Sequence, residues 1–193
     1  AQDFGPGHTP KGGTIYLTAA DESGMMVSFI QSNYMGFGSG VVEPSFGVSL
    51  QNRGHDFSLD AKSPNVVAPG KRPFHTIIPG FLAREGKPLG PFGVMGGFMQ
   101  PQGHVQVVVG LADFGLNPQA ALDRPRWQVV PGDEVLLEPG IPQATALFLK
   151  DLGHRVRYEA EYGLFGRGQV VFRLGEALVG ASDPRAEGLA LAW

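Results

Sequence analysis

The chain has 193 residues, a formal net charge of −3 and no cysteine. The missing thiols exclude disulfides, thiolate catalysis and cysteine-based metal sites and leave the cellular compartment open, while the weak acidity argues against nucleic-acid binding. With 42 % hydrophobic residues the chain can fold as one domain, and its 29 glycines, about twice the usual share of ~7 %, indicate many tight turns.

The first half of the chain predicts a leader, a hairpin and a long loop. Residues 1–13 hold four glycines and two prolines without hydrophobic periodicity, which is typical of a flexible leader. The strand-like runs "TIYLTAA" and "MMVSFIQ" flank the polar turn "DESG" and predict a β-hairpin. After the glycine loop "GFGSG" and short strand-like runs, residues 51–73 form a polar, turn-rich segment, and such long loops are usually functional or mobile.

The second half predicts two more strands, three helices and three closing strands. The strands are "HTIIPGFLA" and "GPFGVMGG", and a helix follows over about residues 102–113, with Gly115 beyond its end. Asn117 caps a short second helix, while "IPQATALFLKDLG" predicts an amphipathic third. The apolar face of the third helix is expected to comprise Ile141, Ala144, Leu147 and Phe148. With the closing strands "HRVRYEA", "GQVVFRL" and "ALVGAS", this order favours an α+β fold with antiparallel sheets and no βαβ repeat.

Common catalytic motifs are missing from this sequence. The five histidines have no metal-ligand spacing, so we expect no metal. "GFGSG" has no phosphate-loop lysine, no G-x-S-x-G elbow occurs, and we expect no cofactor. The longest apolar runs are too short to span a bilayer, which predicts no membrane span in this chain.

Thr14, directly after Gly12 and Gly13, has two readings. It is an ordinary strand residue, or it becomes a chain terminus when the Gly13–Thr14 bond is cut. In the second case its α-amine, with an unperturbed pKa of roughly 7.7 to 8.0, serves as the base for its own hydroxyl. Such a site needs no cysteine, histidine or metal.

A set of segments decides between these readings. "TIYLTAADESGMMVSFIQS", "NRGHDFS", "PGKRPFHTIIP", "VMGG" and "GASDPR" resemble, in order and spacing, the small subunit of the gamma-glutamyltranspeptidase family, also called glutathione hydrolases. That family belongs to the N-terminal-nucleophile hydrolases, and the resemblance runs from about Thr14 to Arg185. It implies a four-layer αββα sandwich, of which this chain forms the small-subunit part. Residues 1–13 would then be the tail of an upstream large subunit, and 14–193 the catalytic region.

The resemblance also implies roles for individual residues. Thr14 looks like the nucleophile that drives autocleavage after Gly13, and Ser32 stands where a threonine supports it by hydrogen bonding. Asp56 matches the carboxylate that holds the α-ammonium of the glutamyl group. Gly96 and Gly97 match the pair whose backbone N–H groups form the oxyanion hole.

Four positions depart from the family's pattern. His75 and Thr76 replace two serines that hold the substrate α-carboxylate, Tyr34 replaces an asparagine, and Arg53 replaces a glutamine. Thr76 can still donate a hydrogen bond, and Arg53 is expected to pair with a carboxylate in bidentate fashion.

The resemblance implies an enzyme that acts on glutathione or related gamma-glutamyl amides, with hydrolysis favoured over transfer. Two alternatives stay open: an acylase on another amide, of the cephalosporin-acylase kind, and a non-catalytic, unprocessed scaffold. The expected partner is the large subunit, which would cover a large apolar face of this chain and supply an arginine for the substrate carboxylate. Tyr16, Phe29, Phe37 and Phe81 are expected in the core.

Overall fold

The computed structural model describes residues 13–193, so the predicted leader lies outside the described residues except for Gly13. The described chain contains eleven strands, three α-helices and short 3-10 turns, one of them at Arg53–Asp56. The strands are β1 (Ile15–Ala20), β2 (Met26–Gln31), β3 (Val42–Glu43), β4 (Val48–Ser49), β5 (Gly80–Arg84), β6 (Lys87–Met95), β7 (Trp127–Val130), β8 (Glu134–Leu137), β9 (Arg155–Tyr158), β10 (Arg167–Leu174) and β11 (Ala177–Ser182). The helices are α1 (Met99–Ala112), α2 (Pro118–Asp123) and α3 (Gln143–Asp151).

Strands β1 and β2 form the predicted antiparallel hairpin. The turn is stabilised by Asp21, whose Oδ1 accepts hydrogen bonds from the Ser23 hydroxyl at 2.6 Å and the Met25 N–H at 3.1 Å. Alternate residues of the hairpin face a second, four-stranded antiparallel sheet in the order β11-β10-β6-β5. Contact is close, because a Cβ added at Gly93 in β6 would lie 2.7 Å from the Tyr16 ring.

Helices α1 and α2 pack against the four-stranded sheet, and the core lies between the helices and the sheet. Its buried members include Phe92 and Val94 of β6, Val107 of α1, Leu122 of α2 and Phe172 of β10. The chain therefore stacks a hairpin, a sheet and a helix layer. In the described part of the chain, no helix is both long and apolar enough to cross a membrane.

Two element boundaries differ from the prediction, the start of α1 and the start of β5. Helix α1 begins at Met99 rather than near residue 102. Its Gln100 side chain accepts the Ile78 N–H at 3.2 Å, and the His104 ring lies 2.8 Å from the Ile78 carbonyl. The Ile78 backbone is therefore held by helix side chains, and strand β5 starts at Gly80 instead of residue 75. The predicted N-cap of α2 is confirmed, since Asn117 Oδ1 accepts the Ala120 N–H at 2.8 Å.

A three-stranded sheet in the order β7-β8-β9 was not predicted in full. Strands β7 and β8 were not predicted from the sequence. Strand β8 pairs in parallel with β9, and α3 connects the two, so the sheets are not all antiparallel. The predicted face of α3 is wrong in part: Ala146 and Leu149 pack inward with Ile141, while Leu147 and Phe148 are exposed. Helix orientation is set here by the sheet it crosses, which a pattern of apolar residues does not specify.

The outer face of the hairpin is apolar and exposed in this chain. Ile15, Leu17, Val27 and Phe29 project from it, and Phe29 is 47 % exposed. Of the four predicted core aromatics, only Tyr16 is buried; Phe29, Phe37 and Phe81 are exposed. These three predictions were wrong for the chain on its own, because strand alternation places Phe29 opposite the buried side and Phe37 lies in a glycine loop.

Candidate active site

The open end of the hairpin brings two predicted catalytic residues together. Ile15 pairs with Gln31, so Thr14 and Ser32 come next on either side of the same ladder. The Thr14 hydroxyl donates to Ser32 Oγ at 2.9 Å. Both side chains are partly exposed, as a nucleophile that meets substrate must be. The catalytic roles of both residues stay predictions.

Tyr34 connects this pair to the predicted substrate-binding residues. Its backbone N–H donates to Ser32 Oγ at 2.9 Å, and its phenol donates to Asp56 Oδ1 at 2.5 Å. The Arg53 guanidinium lies 4.6 Å from the centroid of the Tyr34 ring, within the range of a cation–π contact. Burial and the hydrogen bond to Asp56 raise the pKa of Tyr34 to about 12, so the phenol keeps its proton at neutral pH.

Arg53 is enclosed by protein, which differs from the expected bidentate contact with a substrate carboxylate. It is 2 % exposed, and its Nη1 donates to Thr76 Oγ1 at 2.8 Å. Thr76 is buried as well, so its hydroxyl accepts from Arg53 inside the protein rather than facing solvent. Arg53 Nη2 and Asp56 Oδ2 are buried without a hydrogen-bond partner among the described residues.

His75 is the exposed member of this group. Its Nδ1 accepts the Ile77 N–H at 3.1 Å, which leaves Nε2 to carry the proton of the neutral ring. Partial desolvation and the nearby Arg53 lower the pKa of His75. A neutral ring with an outward Nε2–H can donate one hydrogen bond to a ligand.

Gly96 and Gly97 form the turn between β6 and α1. Their φ angles are 146° and 59°, a region that favours glycine. Their carbonyls accept the N–H groups of Met99 and Gln100, both at 3.1 Å. Within residues 13–193 neither glycine's own N–H donates to a backbone carbonyl of the turns and loops. Their role in an oxyanion hole stays a prediction.

A buried ion cluster that was not predicted from the sequence supports this turn from behind. Arg126 Nη2 contacts Asp183 Oδ2 at 2.6 Å, and Arg185 contacts Asp183 Oδ1 at 3.0 Å and Glu138 at 2.5 and 2.6 Å. The motif "GASDPR" contains two of its members, and only the folded chain supplies the other two. Burial on this scale requires charge pairing, since an unpaired charge would be strongly destabilising.

The cluster reaches the glycine turn through one neighbouring segment. Arg126 Nη1 donates to the carbonyls of Phe165 and Gly166 at 3.0 and 3.1 Å. Gly166 in turn lies against Gly96, where an added Cβ would be 3.1 Å from the Gly166 Cα. The buried charges therefore fix the backbone against which the Gly96 turn packs.

Two asparagines hold the loops around the site, and they too were missed. Asn52 accepts the Met35 N–H and donates to the carbonyls of Met35 and Gly38, each at 3.0 Å. Asn65 donates to the Asp56 carbonyl at 2.6 Å and accepts the Phe74 N–H at 2.9 Å. Asparagine in a turn-rich loop is the only sequence signal for such anchors, and it does not say which backbone groups are bound.

Comparison with known proteins identifies the family of this chain. Residues 2–193 match the family model described as Gamma-glutamyltranspeptidase. The chain is 38 % identical to the glutathione hydrolase-like YwrD proenzyme of Bacillus subtilis, covering 92 % of this chain and 35 % of that protein. It is 37 % identical to the oxamate amidohydrolase proenzyme of Klebsiella pneumoniae, covering 100 % and 38 %.

A solved structure shows which fold this chain shares. The crystal structure of a cephalosporin acylase from Bacillus halodurans superimposes with a TM-score of 0.86 and 57 % identity, covering 92 % of this chain and 34 % of that one. The predicted α+β fold of the N-terminal-nucleophile hydrolases is thereby confirmed. This chain spans about a third of the length of these three relatives. It belongs to the gamma-glutamyltranspeptidase family, a family of autoprocessing hydrolases within the N-terminal-nucleophile superfamily.

Proposed function

We propose that this chain is the catalytic part of an amide hydrolase in which Thr14 is the nucleophile. The observation that carries the proposal is the 2.9 Å contact between the Thr14 and Ser32 hydroxyls at the open end of the hairpin. In the intact chain the Thr14 nitrogen is an amide and cannot act as a base, so cleavage after Gly13 must come first.

The chemistry then uses groups of this chain in sequence. Thr14 Oγ attacks the carbonyl carbon of the substrate amide while the Thr14 α-amine takes its proton. The N–H groups of Gly96 and Gly97 hold the oxyanion, and loss of one such donor typically costs about 3 to 4 kcal/mol. The C–N bond breaks as the α-ammonium returns the proton to the leaving amine. Water then attacks the ester, with the same amine as base, and frees Thr14.

The proposed substrates are glutathione and related gamma-glutamyl amides, with hydrolysis favoured over transfer to an acceptor amine. The upstream large subunit of the same precursor is the proposed partner, because the apolar outer face of the hairpin would be stabilised by burial. The relatives from Bacillus subtilis and Klebsiella pneumoniae are described as proenzymes, which supports release of Thr14 from a longer chain.

A second candidate is an acylase that removes an acyl group without an α-ammonium. One observation favours it: Asp56, expected to hold that ammonium, already accepts the Tyr34 phenol at 2.5 Å. The non-catalytic scaffold differs from both candidates, since it would neither cleave before Thr14 nor release an amine.

The experiment uses the complete precursor, produced with its upstream region, as wild type, Thr14→Ala and Thr14→Ser. Intact mass is followed over time, and amine release is measured with gamma-glutamyl and glutaryl p-nitroanilides. We expect a fragment beginning at Thr14 in the wild type, and in Thr14→Ala an uncut chain with turnover reduced about 10⁴-fold or more. Thr14→Ser, which keeps a hydroxyl, should still cleave. Turnover retained in Thr14→Ala would contradict the proposal.

A further inference from the structure

Gln100, in the first turn of α1, connects the glycine turn to the segment that leads into β5. Its backbone N–H donates to the Gly97 carbonyl at 3.1 Å, and its side-chain Oε1 accepts the Ile78 N–H at 3.2 Å. One turn further along the helix, His104 Nε2 lies 2.8 Å from the Ile78 carbonyl. The next residue, Pro79, has no N–H for a strand ladder, so the helix side chains hold this backbone instead. The position of Ile78 relative to the glycine turn is therefore set by α1.

Residues 78–80 are also bonded to the hairpin. The Gly80 carbonyl accepts the Ser28 hydroxyl of β2 at 2.8 Å. Ser28 Oγ lies 2.7 Å from the Tyr16 hydroxyl of β1 as well, so this contact involves both strands of the hairpin. A continuous path of backbone and hydrogen bonds therefore leads from the hairpin through residues 78–80 and Gln100 to the glycine turn.

The side chain of Gln100 is poorly suited to its buried position. It is 0 % exposed, and its Nε2 has no hydrogen-bond partner among the described residues. A buried amide group without a partner is destabilising, and an apolar side chain of the same length would avoid that cost. Further along α1, Gln106 uses both ends of its amide: Oε1 accepts the Trp127 N–H at 3.0 Å, and Nε2 donates to the Trp127 carbonyl at 2.9 Å. Stability thus accounts for Gln106 but not for Gln100, and such exceptions are typical of functional sites.

We propose that Gln100 is a positioning residue of the hydrolysis, which fixes the distance between the glycine turn and the hairpin that carries Thr14. The tetrahedral intermediate must bond to Thr14 Oγ and accept the N–H groups of Gly96 and Gly97 at the same time. The distance between hairpin and turn therefore decides how well the oxyanion is held. Gln100 touches no substrate in this role and acts through Gly97. The inference rests on the proposed function, because it concerns the step in which Thr14 attacks.

The test compares the complete protein, produced with its upstream region, as wild type, Gln100→Met and Gln106→Met. Methionine keeps the length of the side chain and removes its hydrogen bonds, and Gln106→Met is the matched control on the same helix. The values of kcat and KM are measured with gamma-glutamyl and glutaryl p-nitroanilides, and the midpoint of urea unfolding is measured alongside. Rates are normalised to the fraction of chains that begin at Thr14, taken from intact mass, which separates slow turnover from incomplete cleavage.

We expect Gln100→Met to lower kcat about tenfold or more with little change in KM, because displacement of reacting groups by about 1 Å has effects of this size. Its urea midpoint should stay close to the wild-type value, since an unpaired Nε2 is exchanged for an unpaired Ile78 N–H. Gln106→Met should do the reverse, with a lower midpoint and an unchanged kcat. Gln100→Glu should restore most of the lost kcat, because it keeps an oxygen for the Ile78 N–H and burial favours its neutral form.

An unchanged kcat in Gln100→Met, an equal loss of kcat in Gln106→Met, or no recovery in Gln100→Glu would overturn the inference and leave the proposed function in place. If Gln100→Met does not fold, Ser28→Ala tests the same path from the hairpin. Loss of the Gly80 contact should also lower kcat about tenfold, and an unchanged kcat there would overturn the inference as well. A wild type that releases no amine would instead contradict the proposed function, and this inference with it.

Discussion

The region around the candidate site and the region around the four-stranded sheet are stabilised in different ways. Strands β6 and β10 have nine and eight residues, and they bury a contiguous apolar core beside a charge cluster. In contrast, β3 and β4 have two residues each, and Phe37, Phe46 and Leu59 nearby are 83 %, 86 % and 89 % exposed. The site region is held by hydrogen bonds from a few side chains to loop backbone. Global stability should therefore depend on the sheet, and site geometry on those polar contacts.

The largest expected effect comes from opening the charge cluster with Asp183→Ala. Both Asp183 oxygens are used, by Arg126, Arg185 and the Gly168 N–H, so the change leaves the buried Arg126 guanidinium without a carboxylate partner, whereas Arg185 keeps Glu138. We expect a loss of about 3–5 kcal/mol, measured by urea unfolding of the complete protein. Glu159→Ala removes the partner of Arg157 in an exposed ion pair and should leave the midpoint unchanged. A loss below about 1 kcal/mol for Asp183→Ala would contradict a stabilising role of the cluster.

A pair of asparagine variants should separate the two regions. Asn52→Ala removes three hydrogen bonds from the loop that carries Tyr34, and Asn117→Ala removes the N-cap of α2. We expect Asn117→Ala to cost about 1 kcal/mol of stability with little change in activity. Asn52→Ala should instead lower amide turnover about tenfold or more, because displacement of site groups by about 1 Å has effects of this size. Unfolding curves and steady-state rates of both variants test this expectation. If both variants lose stability and activity to the same extent, the two regions do not differ in the way described.

The smallest expected effect is a pH dependence from His104, which lies between the two regions. Its Nδ1 is 2.6 Å from the Gln100 carbonyl and its Nε2 is 2.8 Å from the Ile78 carbonyl, and burial lowers its pKa. Near pH 6 the unfolded chain then binds more protons than the folded one. The contribution of His104 to the free energy of unfolding is therefore present above the unfolded pKa of about 6.5. It is lost as the pH falls, by at most about 1.4 kcal/mol per pH unit.

The measurement is the free energy of unfolding between pH 7 and 5. His104→Gln should flatten the slope relative to wild type, whereas His154→Gln, at an exposed position, should not. A slope that His104→Gln leaves unchanged would assign the pH dependence to other groups.

Local signals predicted the elements that local chemistry determines. The hairpin follows from alternation around "DESG", and the α2 cap from Asn117 before Pro118. Strand β8 was missed because it pairs in parallel with β9, a strand that follows only after α3. Such a distant pairing has no turn signal in the local sequence. The outward position of Phe29 was missed because an apolar face appears the same in sequence whichever surface covers it.

The candidate site divides in the same way. The proximity of Thr14 and Ser32 follows from strand register, and a hairpin prediction is enough to expect it. The burial of Arg53 beneath Tyr34 joins residues 19 positions apart through loops of irregular conformation, where no periodicity applies. The resemblance to a family could place these residues at the site, but only the folded chain shows which of them contact one another.

The apolar outer face of the hairpin has a consequence for how the protein must be produced. The sheet of β1 and β2 has only two strands, and neither pairs through its outer edge within the described residues. Unpaired edges beside exposed Ile15, Leu17, Val27 and Phe29 are a template for intermolecular strand addition and aggregation. Expressed alone, this chain should form aggregates, whereas a covalent tether to the proposed upstream subunit would present a covering surface at an effective concentration on the order of millimolar. Joining the two parts in one polypeptide until after folding would therefore protect solubility, independently of any catalytic need for the cut.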